Sequence, residues 1–557
     1  MSSDGQPPMP AQPVARRAFV VAVALTAVAA VQQLLIAAGM GGRLPGWQPW
    51  PYLLGAAPAW LLARPYWQRA DSSVWLKWIG RLRRIPVWAY VLGVLSLATG
   101  VWAALQDHEP YIGHEEAVYA NKARSWLDGS PDAGWGIYRP FGLPALGRIA
   151  LALHEDVGSL RVVALLLGLF TLIVTYVIAA RWTTPRRAVV VLLLVLSGLG
   201  FLRRFPEFLN DIGSTGLLLI VVFLLVHAQE KENSRALLGV PFVVLAAFYL
   251  RYGVVANLVA ITLAAVLAYG PRAWLARWRH LSFAAVVLFA GLIPHLLHAV
   301  QSTGQPLGVM LSATGQANRA YMGDGLVYYL LIFPYRLAGD LGAVIMAVGL
   351  FSAWAAFRGA CRNRRAGGNR TRVEDRRRMF LGSAAVLIFC VLGLTSHGEP
   401  RFVYLPVVLL TILGVQAVAE ATGRWSSRVL AAVAALATVT VAGTAQVVAH
   451  GAMSGPTDLS RSTVPVAQQL SADGPCLLVT GYEPEMGWYS GCDAVTYAQY
   501  REMKRPPEVR TSFVLFERGR LQPGPVELKR LIAGRDTDVR RIPTEGSIGA
   551  ATVVTVR

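Results

Sequence analysis

Long apolar runs alternate with short polar loops along most of the chain, and most of these runs are long enough for a helix to cross a membrane. We predict about 13 spanning helices from this pattern. They lie at about 18–40, 48–63, 86–106, 160–180, 188–202, 212–228, 236–250, 253–269, 281–300, 340–357, 379–395, 402–419 and 429–449. The runs at 48–63, 188–202 and 236–250 are short, and the loss of one crossing would reverse the side assigned to every later loop. The run 326–336 is too short to span and is predicted to lie at the membrane interface.

Basic residues are concentrated in loops on one side of this predicted topology. The loop 64–85 holds six Lys and Arg residues against one acid, Asp71, and the loop 358–378 holds nine arginines. The positive-inside rule places such loops in the cytoplasm, together with the N-terminus. The acidic segment 107–160 and the tail 450–557 then lie outside the cell. Because the formal net charge of +20 sits largely in these short loops, we do not predict a nucleic-acid partner.

The composition also indicates an integral membrane protein. Of 557 residues, 54% are hydrophobic and 15% are charged, whereas a soluble domain has about 25% charged residues. Residues 1–17 are rich in proline and end in two arginines, so we expect a disordered cytoplasmic N-terminus. The high content of Ala, Arg and Gly is typical of a bacterial source, and we expect a multi-pass protein of the plasma membrane.

The tail 450–557 is predicted to be a small extracytoplasmic α/β domain. CLLVTG, TSFVLF and ATVVTVR have the pattern of strands, and PVELKRLIAG has the pattern of a helix. Outside the cell, Cys476 and Cys492 are predicted to form a disulfide that stabilises the domain by about 3 kcal/mol. The alternative is two reduced, unrelated cysteines. The aromatic residues between them either stack on sugars or pack in the core; they are Tyr482, Trp488 and Tyr489.

The segment 107–129, DHEPYIGHEEAVYANKARSWLDG, is the first long polar stretch after an apolar run. We predict a helix from His114 to Leu127 that ends at Gly129. Glu115, Tyr119 and Lys122 then share one face. Two adjacent carboxylates just outside a bilayer indicate a functional site, because polar groups near membranes are costly. The alternative is a solvated loop helix that happens to be acidic.

Two further outward loops carry polar groups of the same kind. Glu207 and Asp211 lie one helical turn apart in RRFPEFLND, and SHGEPRF holds His397, Glu399 and Arg401. A carboxylate can act as a general base on a hydroxyl. An arginine can neutralise a phosphate through a forked hydrogen bond. These groups suit the transfer of a sugar from a lipid phosphate to a hydroxyl, although Arg401 also suits an interfacial anchor.

The segment Glu115-Glu116-Ala117-Val118-Tyr119, followed by Ala123, resembles the acidic-acidic-x-x-Tyr motif in the first external loop of the GT-C glycosyltransferases. The protein-mannosyltransferase and aminoarabinose-transferase branch is the most similar. YRPFGLPAL resembles the segment before that family's next span, and SHGEPRFVYLPVVLL resembles its late-span pattern. The resemblance covers about 86–420.

The resemblance implies a GT-C-type membrane enzyme that uses a polyprenyl-phosphate-linked sugar as donor. It implies transfer on the external face, with inversion at the anomeric carbon, to a hydroxyl of a glycan, lipid or protein. The family usually has Asp at the first acidic position, so the base here is either Glu115 or Glu116. We favour Glu115 because it shares a face with Tyr119 and Lys122.

The other implied site residues bind the donor phosphate or support the site. Arg401 is the first candidate for the lipid phosphate, followed by Arg251 and Arg336. The predicted supporting residues are His114, Tyr119, Lys122, Asp211, His397 and Glu399. The chain is divided into the N-terminus 1–17, two extra spans and a basic loop at 18–85, a GT-C-like core at 86–449, and the external domain 450–557.

No metal site or cofactor is predicted. His108, Glu109, His114 and Glu115 are ligands by type, but their spacing is not that of a zinc site, so a divalent cation is left open. The main alternative function is a transporter or flippase of lipid-linked saccharides. That function requires charges inside the spans and repeat symmetry, and the sequence has little of either. A third class is a membrane scaffold that presents the tail.

Overall fold

The computed structural model describes residues 12–37, 49–67, 84–108, 111–232, 234–315, 321–332, 335–365, 373–423, 426–449, 456–471, 474–504 and 508–556. The chain is mostly helical, with one small sheet near its C-terminus. The helices of the first half are α1 (Gln12–Ala37), α2 (Trp50–Leu62), α3 (Arg64–Trp67), α4 (Val87–His108), α5 (His114–Asp128), α6 (Gly142–Leu153), α7 (Val157–Trp182), α8 (Pro185–Leu196), α9 (Leu199–Arg204), α10 (Asp211–Glu230), α11 (Val240–Leu250), α12 (Val254–Tyr269), α13 (Pro271–Leu275) and α14 (Trp278–Thr303).

The second half has fewer long helices and contains the strands. Its helices are α15 (Gly308–Gly315), α16 (Asp324–Ile332), α17 (Tyr335–Arg365), α18 (Val373–Thr395), α19 (Tyr404–Thr422), α20 (Ser426–Ala449), α21 (Pro456–Leu470), α22 (Glu483–Ser490), α23 (Tyr497–Glu502) and α24 (Pro525–Ile532). The strands are β1 (Cys476–Val479), β2 (Asp493–Val495), β3 (Arg510–Phe516), β4 (Thr537–Ile542) and β5 (Ala551–Val556). Short 3-10 helices lie at Ala236–Leu238 and Pro400–Val403.

Helices cover the apolar runs that the sequence pattern identifies as spans. Among the described residues, nine helices are long and apolar enough to cross a membrane. Shorter apolar helices lie at Pro51–Leu62, Gly142–Leu153, Ala236–Leu250 and Val254–Tyr269. The predicted polytopic helical membrane protein with a small α/β region near its C-terminus is therefore confirmed. The number of crossings stays a prediction.

Three details differ from the predicted boundaries. The first helix begins at Gln12 rather than near residue 18. The predicted span 188–202 is two helices, α8 and α9, which Ser197 and Gly198 separate. Helix α6 lies within the segment that we predict as an external loop, because its apolar run is too short to be read as a span.

The chemistry of the helix ends explains where several helices begin and stop. The Asp156 side chain accepts a hydrogen bond from Ser159 N at 2.6 Å and so caps α7. Thr184 caps α8 in the same way, and Pro185 fits the first turn because its missing N–H has no partner there. Gly129 ends α5 with φ of 81°, a conformation that glycine adopts without strain. The predicted C-cap of this helix is thus present.

Helix α19 is the most enclosed of the long helices and packs closely on α17. Glycines allow this approach from both sides: a Cβ atom on Gly414 would lie 2.0 Å from the Ile345 carbonyl oxygen, and one on Gly349 would lie 2.2 Å from that of Leu410. Small residues at such contacts let helix backbones meet inside a membrane. The 3-10 helix that carries Arg401 leads directly into α19, so this packing also holds Arg401.

The C-terminal region is a five-stranded sheet with the order β2-β1-β3-β5-β4. Strands β1, β2 and β3 are parallel, while β5 is antiparallel to both β3 and β4. The predicted strands and helix are all present, and β2 and β4 are additional. A disulfide joins Cys476 and Cys492, whose Cα atoms are 4.9 Å apart. It closes the loop of chain that contains α22.

We predict that Gly414→Ala destabilises the protein by about 1–3 kcal/mol, because the new methyl group overlaps the backbone of α17. Thermal unfolding in detergent micelles measures the loss. The matched control is Gly93→Ala in α4, where a Cβ atom would meet nothing within 4 Å and the helix gains about 0.5–1 kcal/mol of backbone propensity. Equal melting temperatures for the two variants would contradict the close contact.

Candidate active site

Three segments that are distant in sequence meet at Glu115. This residue lies in the first turn of α5, after the N-cap Gly113. Its carboxylate accepts a hydrogen bond from Arg139 Nη1 at 3.3 Å. The other oxygen lies 3.6 Å from Arg401 Nη2. The Glu115 side chain is 36% exposed, so a ligand can reach it.

The surroundings of Glu115 determine its charge. Burial alone would raise its pKa, but the positive charges of Arg401 and Arg139 lower the pKa to about 2. The group is therefore ionised at neutral pH. A carboxylate with so low a pKa is a weak base for as long as both guanidinium groups contact it.

Glu116, the next residue, has a different environment. Its side chain is 3% exposed. Arg161 binds it through both carboxylate oxygens, with Nε at 3.2 Å and Nη2 at 3.1 Å. The backbone N–H groups of Gly113 and Phe208 also donate to it, at 3.0 and 2.7 Å. These four hydrogen bonds occupy the acceptor sites of Glu116, so it ties α5 to α7 and to the loop before α10 rather than facing a ligand.

Arg401 is held by the loop that precedes α19. Its guanidinium group forms an ion pair with Glu399. His397 Nε2 lies 3.1 Å from the other oxygen of Glu399. Burial alone would raise the pKa of Glu399, but Arg401 and His397 lower it. Glu399 and His397 thus lie beside Arg401, and Arg401 bridges Glu399 and Glu115.

A second arginine lies beside this group. Arg251 Nη1 is 2.7 Å from an oxygen of Asp211, the first residue of α10. The guanidinium carbons of Arg251 and Arg401 lie 4.9 and 5.5 Å from the Phe402 ring centre, so both cations contact one aromatic ring. Arg204, which pairs with Glu207, is near enough for its charge to act on Arg401. Four arginines and four carboxylates therefore form one cluster of balanced charge: Arg139, Arg204, Arg251 and Arg401 with Glu115, Glu207, Asp211 and Glu399.

Tyr119 lies next to this cluster and Lys122 lies outside it. The Tyr119 hydroxyl accepts a hydrogen bond from Asn210 Nδ2 at 3.3 Å, and burial raises its pKa. Lys122 is paired with Asp132 at 2.5 Å and lies 5.5 Å from the Trp135 ring centre. Although Lys122 and Glu115 are predicted to share a helix face, Lys122 forms its ion pair with Asp132 of the following loop and not with Glu115.

His114 faces the C-terminal region instead of the cluster. Its Nδ1 atom lies 2.8 Å from Glu485. Burial alone would lower the pKa of His114, but the hydrogen bond and charge of Glu485 raise it above its ordinary value of 6.5. The side chains of Arg336, His108 and Glu109 lie outside the described residues. Within the described ranges, no group of three His, Cys, Asp or Glu side chains is arranged to hold a metal ion.

Arg139 and Arg161 are not among the predicted site residues, yet each pairs with one glutamate of the acidic pair. Arg139 belongs to the YRPFGLPAL segment, but nothing in its spacing links it to Glu115. The sequence signal for Arg161 was its position at the start of an apolar run of spanning length, where an arginine either reaches the interface or pairs with an acidic residue. Glu116 is that partner.

Comparison with known proteins agrees with the predicted resemblance. Residues 138–298 match a sequence model of the family described as dolichyl-phosphate-mannose-protein mannosyltransferase. This range contains Arg139, Arg161, Asp211 and Arg251, and it begins after the acidic pair. No curated protein matches the chain.

The solved structures extend this agreement to the fold. ArnT from Cupriavidus metallidurans, bound to undecaprenyl phosphate, superposes with a TM-score of 0.62 and 16% identity, over 84% of this chain and 98% of that one. The same protein in its apo state gives 0.61 and 15%, with the same coverage. The chain therefore has an ArnT-like fold, and the resemblance to the GT-C glycosyltransferases is confirmed.

We predict that Glu116→Gln lowers the stability of the protein by about 3–5 kcal/mol, because it leaves Arg161 buried without its counter-charge. The loss appears as a lower melting temperature and a lower yield of folded protein in detergent. Glu115→Gln is the matched control, since its partly exposed ion pairs contribute about 1 kcal/mol or less. If the two variants lose the same stability, the division between a structural and an accessible glutamate is wrong.

Proposed function

We propose that the protein is a membrane glycosyltransferase. It moves a sugar from a polyprenyl-phosphate-linked donor to an acceptor hydroxyl on the external face of the membrane, with inversion at the anomeric carbon. One observation carries this proposal: an accessible carboxylate, Glu115, contacts Arg139 and Arg401 beside a third arginine, Arg251. The proposed base, Glu115, and the proposed phosphate-binding group, Arg401, are thus in direct contact, 3.6 Å apart.

The donor follows from the arginines and from the fold. A guanidinium group can bind a phosphate through two parallel hydrogen bonds. Arg401 and Arg251 both contact the Phe402 ring, so two such groups lie close together. The ArnT structure, whose fold the chain shares, has undecaprenyl phosphate bound. A lipid phosphate that enters between Arg401 and Glu115 would take over part of the guanidinium's hydrogen bonding.

The reaction then needs one base and one leaving group. Glu115 accepts the proton of the acceptor hydroxyl while that oxygen bonds to the anomeric carbon. The bond from this carbon to the phosphate oxygen breaks at the same time, and the polyprenyl phosphate leaves with the electron pair. Arg401 stabilises the charge on the phosphate. Because the phosphate draws Arg401 away from Glu115, donor binding raises the pKa of Glu115 and makes it a better base.

The proposed function comes with a membrane topology and a division into domains. The basic loops support a cytoplasmic N-terminus and an external C-terminal region, in a bacterial plasma membrane. The segment 86–449 is the catalytic core, 18–85 adds two membrane-spanning helices and a basic cytoplasmic loop, and 450–557 is the external domain. The acceptor is a glycan, lipid or protein hydroxyl. A transporter or flippase of lipid-linked saccharides is less well supported, because the balanced cluster gathers around the starts of α10 and α19 rather than along a path through the spans.

We predict that Glu115→Gln lowers transfer from a polyprenyl-phosphate sugar by at least about 100-fold, because the general base is lost. Membranes are incubated with a panel of radiolabelled donors, and the labelled product is counted. The matched control is Glu517→Gln, which removes a carboxylate from an exposed ion pair with Arg541 in the C-terminal sheet. Full transfer by Glu115→Gln would refute the assignment, and movement of labelled lipid across the membrane without any transfer would favour the flippase.

We predict that Arg139→Gln moves the acid limb of the pH profile of kcat, which reports the pKa of Glu115 with donor bound, to higher pH by about one unit. Arg139 lowers the pKa of Glu115, so its loss raises that pKa, and protonation inactivates the base at a higher pH. Rates on the alkaline side are retained. Arg148→Gln, which changes an exposed arginine of α6, is the control and keeps the wild-type profile. An acid limb that does not move would show that Arg139 does not tune the base.

A further inference from the structure

Helix α22 of the C-terminal region lies directly against α5, the helix that carries Glu115. We infer that α22 is a positioning element of the active site and that the Cys476–Cys492 disulfide holds it in place. Asn121, Arg124 and Tyr489 are then positioning residues. None of them contacts the charged cluster; they act by fixing the place and direction of α5. The part of this inference that concerns turnover rests on the proposed function.

The central turns of α5 are bound to α22 by buried hydrogen bonds. The Asn121 amide donates to the Pro484 carbonyl oxygen at 2.8 Å and to that of Ala133 at 3.0 Å. Arg124 donates to the Trp488 carbonyl oxygen at 2.9 Å and to that of Gly487 at 3.2 Å. Asn121 is fully buried. An amide in this position cannot exchange these carbonyls for water unless the two helices separate.

Arg124 strengthens the same contact in a second way. Its guanidinium carbon lies 4.4 Å from the centre of the Trp488 ring, as in a cation–π pair. The loop that follows α5 also packs on α22, since a Cβ atom on Gly487 would lie 2.5 Å from the Cβ atom of Ala133. The interface is therefore packed as well as hydrogen-bonded.

The start of α5 is bound by the same helix. Tyr489 accepts a hydrogen bond from the backbone N–H of Ile112 at 2.8 Å, two residues before α5 begins. Glu485 binds His114 at 2.8 Å. The contacts to α22 thus lie on both sides of Glu115 in the sequence. Glu116 is bound to Arg161 from the side of the spans, so the first turn of α5 is held from two directions.

The disulfide connects this interface to the sheet. Cys476 begins β1 and Cys492 directly follows Gly491, which ends α22 with φ of 73°. Ser490 Oγ accepts a hydrogen bond from the backbone N–H of Cys492 at 3.1 Å. The disulfide therefore ties the end of α22 to the first strand. It adds a covalent link to the other contacts of α22, which are those with α5, the packing of Met486 in one core with Val466 and Ala467 of α21, and the pairing of the next strand, β2, with β1.

A displacement of α5 moves Glu115 relative to Arg401, which belongs to a separate element. Because reacting groups must be aligned closely, a misplacement of about 1 Å can lower a rate about 100-fold. Loss of the α22 contacts should therefore lower kcat. It should leave KM for the donor nearly unchanged, because Arg401 and Arg251 are held by other contacts.

The first test uses Arg124→Gln in the full-length protein. We expect kcat to fall at least about tenfold, while KM for the donor changes by less than about threefold, and Arg124→Lys to recover part of the loss. Hydrogen exchange of the backbone amides of 111–128 should become faster. Arg541→Gln is the matched control, since this exposed arginine of the same region pairs only with Glu517 among the described residues. Unchanged kcat together with unchanged exchange in 111–128 would overturn the inference.

The second test removes the disulfide, by Cys476→Ser with Cys492→Ser or by a membrane-permeant reductant on the wild type. Faster exchange in both 476–492 and 111–128, with a lower kcat that reoxidation restores, supports the inference. Faster exchange in 476–492 alone overturns it, because the disulfide then stabilises only its own loop. If the wild type transfers no sugar from any donor, the proposed function fails, and the exchange data still decide whether α22 positions α5.

Discussion

The buried ion pair between Glu116 and Arg161 is the interaction on which the site depends. Removing two charges from water costs several kcal/mol each, so such a pair is stable only with good geometry and further hydrogen bonds. Glu116 has both: two bonds from Arg161 and one each from the backbones of Gly113 and Phe208. The pair joins the acidic helix, a spanning helix and the loop before α10. Because Glu115 is the adjacent residue of the same helical turn, the contacts of Glu116 also fix the backbone position of Glu115.

In the charged cluster around Glu115, as in the Glu116–Arg161 pair, every charge has a partner of opposite sign. Each arginine has a carboxylate, and in the absence of a ligand the formal charges cancel. Arg401 bridges Glu399 and Glu115, and its contact with Glu115 is longer than that of Arg139. In the proposed reaction, the donor phosphate competes for this weaker contact.

The sequence predicted the helical membrane fold, the small C-terminal α/β region and the importance of the acidic pair's surroundings, because periodicity and local charge report on these features directly. It favoured Glu115 but could not show that Glu116 is enclosed, because that enclosure depends on Arg161 and Phe208 in distant segments. It also grouped Lys122 with Glu115, because a helix face is a local property, while Asp132 in the next loop is the actual partner. Arg139 was missed for the same reason. The break between α8 and α9 carries only a Ser-Gly signal, which is weak inside an apolar run.

The contact between α5 and α22 joins distant parts of the chain: Asn121 and Pro484, which are hydrogen-bonded, lie 363 positions apart in the sequence. At a synthesis rate of about 5–20 residues per second, α5 is made tens of seconds before its partner. During that interval the amide of Asn121 and the guanidinium of Arg124 have none of the α22 carbonyls that later bind them. The order of synthesis thus delays this contact until the last fifth of the chain has been made and folded. A chain that ends before Pro484 would therefore leave these polar groups of α5 without the carbonyl oxygens that bind them in the folded protein.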